Sequence, residues 1–378
     1  MPHFPVSLVE ASSAGLIALV FDKDFHIVNS SGKIVASTVE GLGDDVKLAA
    51  GSKKGSVKSV AFSPAGDLFA VCTMDKGLYI YSTASWSIVR EAETPKRANA
   101  VVFDPSGAYV LAADKFGDVV RLTAAPATDG DSEKPVVLLG HVSILCDIEF
   151  THGDRPYVLT CDRDEKLRVS KYPNSYNIQS FCLGHTAFVT SVATAKFAVN
   201  NAVTGSGDGT VRLWDVESGE LLQTVVLGDI LAQYRESEQD QEKADRFGVL
   251  RVRSIEETNE FAVLVEDIPA VIVFPFANGA LGTPQVIDIA RAPTDMTITS
   301  DRLVVSYVPA AEGVQDAALV SVLKNADGQY VADDELNGAL SNVHTLETNK
   351  VPAIQSIFVW GSKNFIERTN KGDQDDDE

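Results

Sequence analysis

A chain of 378 residues with 45% hydrophobic and 22% charged side chains can bury a sizeable core, and no apolar run in it approaches the length needed to cross a bilayer. Its formal net charge is −21; setting aside the last eight residues (−4) and a polar stretch at 233–246 (−2), the body still carries −15 and repels phosphate backbones. The four cysteines, Cys72, Cys146, Cys161 and Cys182, fall within or beside predicted strands without C-x-x-C spacing, which favours buried reduced thiols over zinc ligands.

The first predicted strand lies near Leu16 to Phe21. The apolar run from Ala14 is short and lacks a basic flank, so it reads as a strand rather than a signal peptide. The chain is therefore expected to stay in the nucleocytoplasmic space, with the nucleus named first and the cytoplasm second. Next, Ser59-Val60-Ala61-Phe62-Ser63-Pro64-Ala65-Gly66-Asp67 gives a strand and a turn, closed by Lys76-Gly77-Leu78-Tyr79-Ile80-Tyr81. Ala100-Val101-Val102-Phe103-Asp104-Pro105-Ser106-Gly107, followed by Val110 to Leu122, repeats the phrase at a similar offset. Gly140-His141 opens another copy, with Cys146 to Phe150 and Tyr157 to Thr160 as its inner strands.

The fullest copy begins at Gly184-His185 and ends in Thr204-Gly205-Ser206-Gly207-Asp208-Gly209-Thr210-Val211-Arg212-Leu213-Trp214-Asp215. That spacing describes one complete WD40 blade. A four-stranded blade cannot bury both faces alone, so blades must stack around an axis. His185, Asp208, the hydroxyl of Thr204 or Ser206, and the Trp214 indole are expected to form one satisfied buried network. A His-Ser-Asp set invites a hydrolase reading, but no G-x-S-x-G elbow accompanies it. Gly205-x-Gly207-x-Gly209 is a turn, not a cofactor cradle.

After residue 220 only strand composition continues, in Phe261 to Val265, Ala270 to Phe274, Leu303 to Tyr307 and Ala318 to Leu323. With a last strand near Ile354 to Trp360, the total predicts an all-β WD40 β-propeller of about seven blades, each of roughly 40 to 50 residues. It is expected to form one domain over 1–370, with a polar insertion near 233–246 and a disordered acidic tail at 371–378.

The fourth blade departs from the repeat. Where the fifth has Asp208-Gly209-Thr210-Val211-Arg212-Leu213-Trp214, it has Asp164-Glu165-Lys166-Leu167-Arg168-Val169-Ser170. Arg163, Asp164, Glu165, Lys166 and Arg168 place five charges of both signs on an expected exposed turn and the strand leaving it. By pattern alone such a cluster is a solvated charged face. Arg168 alternates with Leu167 and Val169, so its side chain is expected to point out of the sheet packing.

The run Leu159 to Ser170, continued by Ile178 to Val189, resembles the WD-repeat non-catalytic subunit of tRNA (guanine-N7) methyltransferase, the Wuho family. Ala113-Asp114-Lys115-Phe116-Gly117-Asp118 and Leu138-Leu139-Gly140-His141 carry the same likeness, over roughly residues 110 to 216. The resemblance implies a scaffold that binds a separate catalytic subunit as a heterodimer for N7-methylguanosine formation in the tRNA variable loop. It implies Arg163, Asp164, Glu165, Lys166 and Arg168 as the partner-binding positions, with Arg168 the bidentate anchor. No cofactor is expected on this chain; S-adenosylmethionine belongs on the partner, and tRNA is reached mainly through it. Basic spots at Ser52-Lys53-Lys54, Pro95-Lys96-Arg97 and Lys363 read either as places that graze phosphates or, more plainly, as scattered surface lysines. The alternatives are a general WD40 adaptor of a ubiquitin-ligase or chromatin complex, and an enzymatic propeller needing convergent carboxylates or histidines in its channel.

Overall fold

The chain is described by a computed structural model over residues 5–42, 45–49, 55–127, 134–234, 247–300, 302–308, 318–341 and 343. Its strands form seven consecutive sheets, spanning 8–48, 57–93, 98–140, 145–183, 189–226, 249–288 and 293–332, antiparallel except where Lys47–Leu48 pairs parallel with Ile34–Ser37 at the edge of the first. These are blades 1 to 7. The second strand of each is almost wholly buried, as in Leu68–Thr73 and Glu260–Val265, because a central strand of a stacked sheet is covered on both faces. Apolar clusters fill the seams between blades. Leu159, Cys161, Leu167 and Val169 of blade 4 meet Val189, Val192 and Trp214 of blade 5 in one of them.

Blade 1 starts earlier than expected, at Leu8–Ala11, and Ile17–Phe21 is its second strand. The ring closes between blades 7 and 1 without a shared strand. Asp295 Oδ2 accepts from Val9 N at 3.1 Å and Thr297 Oγ1 from Ala11 N at 3.0 Å. Beside them, Val9, Ile17 and Leu19 pack on Val304, Val322 and Leu336. Leu336 sits on a short helix, Asp334–Leu340, capped by the Asp333 carboxylate. Seven blades are thus complete by Ala332 without the strand expected at 354–360, which lies outside the described residues, as do 235–246 and 371–378.

The first strands line a central channel. In blades 2 to 7 each carries a β-bulge at the same place, skipping Lys58, Asn99, Cys146, Thr190, Leu250 and Thr294 in turn. A bulge turns the extra residue out of the ladder. All six bulged residues therefore lie at one level of the channel wall, and all line its cavity of about 950 Å³. One residue further on, Ser59, Asp147, Ser191 and Asp295 each accept a backbone N–H from the next blade. Blade order is fixed by hydrogen bonds as well as by apolar packing.

Candidate functional site

The blade 5 network forms as a linear relay. Asp208 Oδ2 meets His185 Nδ1 at 2.8 Å, His185 Nε2 meets Thr204 Oγ1 at 2.7 Å, and the Trp214 indole donates to the same Oγ1 at 2.8 Å. Burial alone would raise the Asp208 carboxyl, but hydrogen bonds from His185, Thr210 and Thr186 outweigh it and hold the group well below the usual carboxylate range. Ser206 is not part of the relay. Its hydroxyl donates to the Phe188 carbonyl at 2.9 Å and accepts from Asp208 N at 3.1 Å. Thr210, missed in the sequence, joins instead through Asp208. Every member is satisfied and covered, as a structural network requires.

Blade 4 repeats this relay with a shift. His141 bonds Asp162 at 2.9 Å and Thr160 at 2.7 Å, so the aspartate is Asp162, at the position of Ser206, rather than Asp164, at the position of Asp208. Asp164 is thereby not the aspartate that His141 binds. Asp162 Oδ1 accepts from Lys166 N at 3.0 Å and Arg163 N donates to Ile144 O at 2.9 Å, fixing the turn at both ends. Lys166 Nζ folds onto the Asp164 carbonyl at 3.0 Å. Glu165 takes φ 75°, the value that Gly209 has at the matching place in blade 5. A side chain there costs of order 1 kcal/mol, and such strain collects where a particular side chain is needed. Arg163, Asp164, Glu165 and Lys166 are each half-buried, so the turn is less open than expected.

Arg168 corrects the sequence reading. It is 6% exposed and its guanidinium makes three hydrogen bonds within the chain: Nε donates to Ser170 Oγ at 2.9 Å, Nη1 to Gly140 O at 2.9 Å and Nη2 to Ser175 O at 3.1 Å. Alternation did put it on the face opposite Leu167 and Val169, but in a propeller that face packs on the preceding blade instead of meeting solvent. Ser170 stands where blade 5 has Trp214, and the Arg168 side chain bonds to its hydroxyl. Burial lowers the guanidinium below its ordinary value.

Neighbouring turns extend the same rim. Phe116, on the matching turn of blade 3, is 58% exposed, with Lys96 Nζ 4.6 Å and Lys115 Nζ 5.3 Å from its ring centre. Val142, in the loop entering blade 4, is 95% exposed. An exposed aromatic and an exposed valine beside charges of both signs have the composition of an interface more than of ordinary surface.

The channel holds the convergent carboxylates that an enzymatic reading would need, which the sequence did not reveal: Glu10, Asp147, Glu149 and Asp295. Each already has structural contacts. Asp147 and Asp295 bind backbone N–H groups of the next blade, Asp295 pairs with Arg251 at 2.8 Å, Glu10 lies 3.6 Å from Arg253, and Glu149 accepts from Phe150 N. Burial raises Glu10 and Glu149 to about 7. Among the described residues no cluster of His, Cys, Asp and Glu has the makings of a metal site, and no helix is long and apolar enough to cross a membrane.

Residues 131–321 match the family model described as the tRNA methyltransferase TRM82 WD40 domain, and residues 46–82 match the WD domain, G-beta repeat. The chain is 34% identical to the tRNA (guanine-N(7)-)-methyltransferase non-catalytic subunit WDR4 of Homo sapiens, over 76% of this chain and 70% of that protein. It is 32% identical to the Xenopus laevis counterpart, over 74% of this chain and 68% of that one. The Drosophila yakuba subunit wuho is 28% identical over 82% of this chain and 71% of its own length. Among solved structures, a chain from the crystal structure of a mitotic checkpoint complex superposes with a TM-score of 0.64 at 15% identity, over 81% of this chain and 88% of that one, a likeness of fold alone.

Proposed function

The chain belongs to the family of WD-repeat non-catalytic subunits of tRNA (guanine-N7) methyltransferase, and from that premise we propose that its blade 4 turn, Arg163 to Lys166, is where it grips the catalytic subunit. The observation that carries this is the shifted relay. By pairing His141 with Asp162, blade 4 takes its structural aspartate from inside the sheet and leaves a strained, mixed-charge turn on the rim. Such a turn sets register and orientation by pairing with opposite charges on a partner. Phe116 and Val142 supply the apolar contact that charges alone do not.

Arg168 has a different role in this scheme from the anchor that the resemblance implied. It ties the strand leaving the turn to Gly140 in blade 3 and to Ser175, so it positions the turn without touching the partner. A rigid turn loses less entropy on docking. The propeller then acts by holding the enzyme's active-site elements in one geometry, contributing no reacting group. S-adenosylmethionine and most of the tRNA contact belong to the partner, forming a one-to-one complex.

The test is reconstitution. The catalytic subunit is assayed for guanine-N7 methylation of tRNA alone and with this chain added, and the pair is sized by light scattering. Stimulation by a stoichiometric heterodimer is the expected result. An unchanged rate with no co-elution would put a general adaptor role ahead.

A further inference from the structure

The first strands place charges in the channel at fixed levels. One residue past the bulges, Asp147, Arg251 and Asp295 have their partners: Arg251 lies 2.8 Å from Asp295, and both aspartates hold backbone N–H groups of the next blade. Two residues further on, Glu10, Ala61, Val102, Glu149 and Arg253 of blades 1, 2, 3, 4 and 6 line the cavity. Glu10 belongs to this level because Val9, just before it, bonds Asp295 as Val101, just before Val102, bonds Ser59. Around the ring the two glutamates flank Ala61 and Val102, and Arg253 stands across from that apolar wall.

At this level two carboxylates share one guanidinium. Arg253 Nη2 is 3.6 Å from Glu10 Oε2, while Glu149 Oε1 accepts from Phe150 N at 2.8 Å. Burial raises both glutamates to about 7; Arg253 opposes it at each, and Asp147 adds to it at each. Asp295 also raises Glu10 and Arg251 lowers it, and Glu10 raises Glu149. A second cation on the wall of blades 2 and 3 would offset the cost of burying these carboxylates. On that wall, three residues before Val102, stands Asn99, 7% exposed. Its Nδ2 donates to Leu145 O at 2.9 Å, and its Oδ1, buried, has no hydrogen-bond partner among the described residues. A buried acceptor left unbonded is costly and points to a donor from outside the chain.

We infer that the channel wall of blades 2 and 3 is a site for an alkylammonium ion, its charged end between Glu10 and Glu149, its chain along Ala61 and Val102, and a neutral N–H or O–H of the ligand donating to Asn99 Oδ1. Three residues of strand span about 10 Å, the reach of a six-carbon chain with a polar group at each end. The far end is neutral because Lys58, on the adjacent blade at the level of Asn99, disfavours a second cation there. The cavity of about 950 Å³ holds such a chain with room to spare. A free amino alcohol and the lysine side chain of a protein share this chemistry. The site is separate from the blade 4 docking role, and none of its residues lies in that turn.

The experiment is calorimetric titration of the full chain, without the catalytic subunit, with aminohexanol, hexylamine, diaminohexane and lysine blocked at both its amino and carboxyl groups. Saturable binding of aminohexanol is expected, tighter than hexylamine by about threefold to tenfold for the bond to Asn99, and tighter than diaminohexane. Glu149→Gln should weaken it at least about tenfold, whereas Glu220→Gln, on an exposed turn, should not. Asn99→Ala should abolish the preference for aminohexanol over hexylamine and leave hexylamine binding in place. Blocked lysine binding as tightly as aminohexanol identifies a protein side chain as the source; a clear preference for aminohexanol identifies a small metabolite. Because the ammonium favours ionised Glu10 and Glu149, binding by the wild type should release protons near pH 7 and none near pH 9, a readout that stands even if the variants fold poorly. No saturable binding at millimolar ligand, or binding without proton release and unaffected by Glu149→Gln, overturns the proposal and leaves the docking role untouched.

Discussion

Replacing Arg168 by leucine separates an internal tie from an outward anchor. In the wild type the guanidinium supplies three hydrogen bonds between 2.9 and 3.1 Å to Ser170, Gly140 and Ser175, at 6% exposure. A hydrogen bond from a charged group contributes about 1.5–3 kcal/mol, and an acceptor left dry costs about 1–3 kcal/mol. Leucine returns about 2 kcal/mol of apolar burial, and loss of the buried charge relieves the desolvation that lowers the arginine's pKa. The balance is a destabilisation of about 2–4 kcal/mol. It should appear as a lower urea midpoint of the isolated chain with an unchanged slope. Arg168→Lys should fall between the two, since an ammonium lacks the planar fork that reaches Gly140 and Ser175 together. A leucine variant as stable as wild type but unable to bind the catalytic subunit would refute the inward placement and restore Arg168 as a contact residue.

Three other substitutions check separate parts of the structure. Glu165→Gly should stabilise the isolated propeller by about 0.5–1 kcal/mol, because φ 75° costs glycine nothing, while weakening the complex; a drop in the urea midpoint would show that the turn is not strained. Trp214→Phe removes the indole donor to Thr204 from a residue with no exposed surface, and should cost about 1–3 kcal/mol by the same measurement; no change would mean that the relay contributes nothing to stability. Glu10 and Glu149 titrate at about 7 in the folded chain and near 4.5 when unfolded, so the fold holds their protons longer and loses stability as pH rises from about 4.5 to 7. Glu149→Gln should therefore leave stability nearly unchanged at pH 4.5, raise it by about 1–2 kcal/mol at pH 8, and flatten the profile between; an unaltered profile would argue against burial of the carboxylate.

Blades 2 to 5 were legible because each keeps a marked turn, Ser63-Pro64-Ala65-Gly66-Asp67 in blade 2 and His185 with Asp208 in blade 5. Blades 1, 6 and 7 show only β-branched runs, which give a strand but not its place in a sheet. Leu8–Ala11 was missed since four residues are too few to display alternation. The Arg168 side chain was misdirected because alternation tells which face a residue occupies, not what lies beyond that face, and here it is another blade. The register of the blade 4 relay was hidden by two aspartates, Asp162 and Asp164, two residues apart on the same side of His141's reach. The channel ring escaped notice because a bulge is a break in pairing between strands, and nothing local in Lys58 or Cys146 signals it.

Docking through the blade 4 turn can be decided by rewriting that turn as its blade 5 equivalent, Gly207-Asp208-Gly209-Thr210, with Arg163→Gly, Glu165→Gly and Lys166→Thr and Asp164 retained. The new turn should fold, since blade 5 already uses it and Glu165→Gly relieves the positive φ. The variant and the wild type are titrated into a fixed amount of the catalytic subunit, and the initial rate of tRNA guanine-N7 methylation is followed at saturating S-adenosylmethionine. The concentration giving half-maximal stimulation should rise at least about tenfold for the variant, with a urea midpoint no lower than wild type. Identical stimulation curves for the two proteins would contradict a docking role for these four residues and move the interface elsewhere on the propeller.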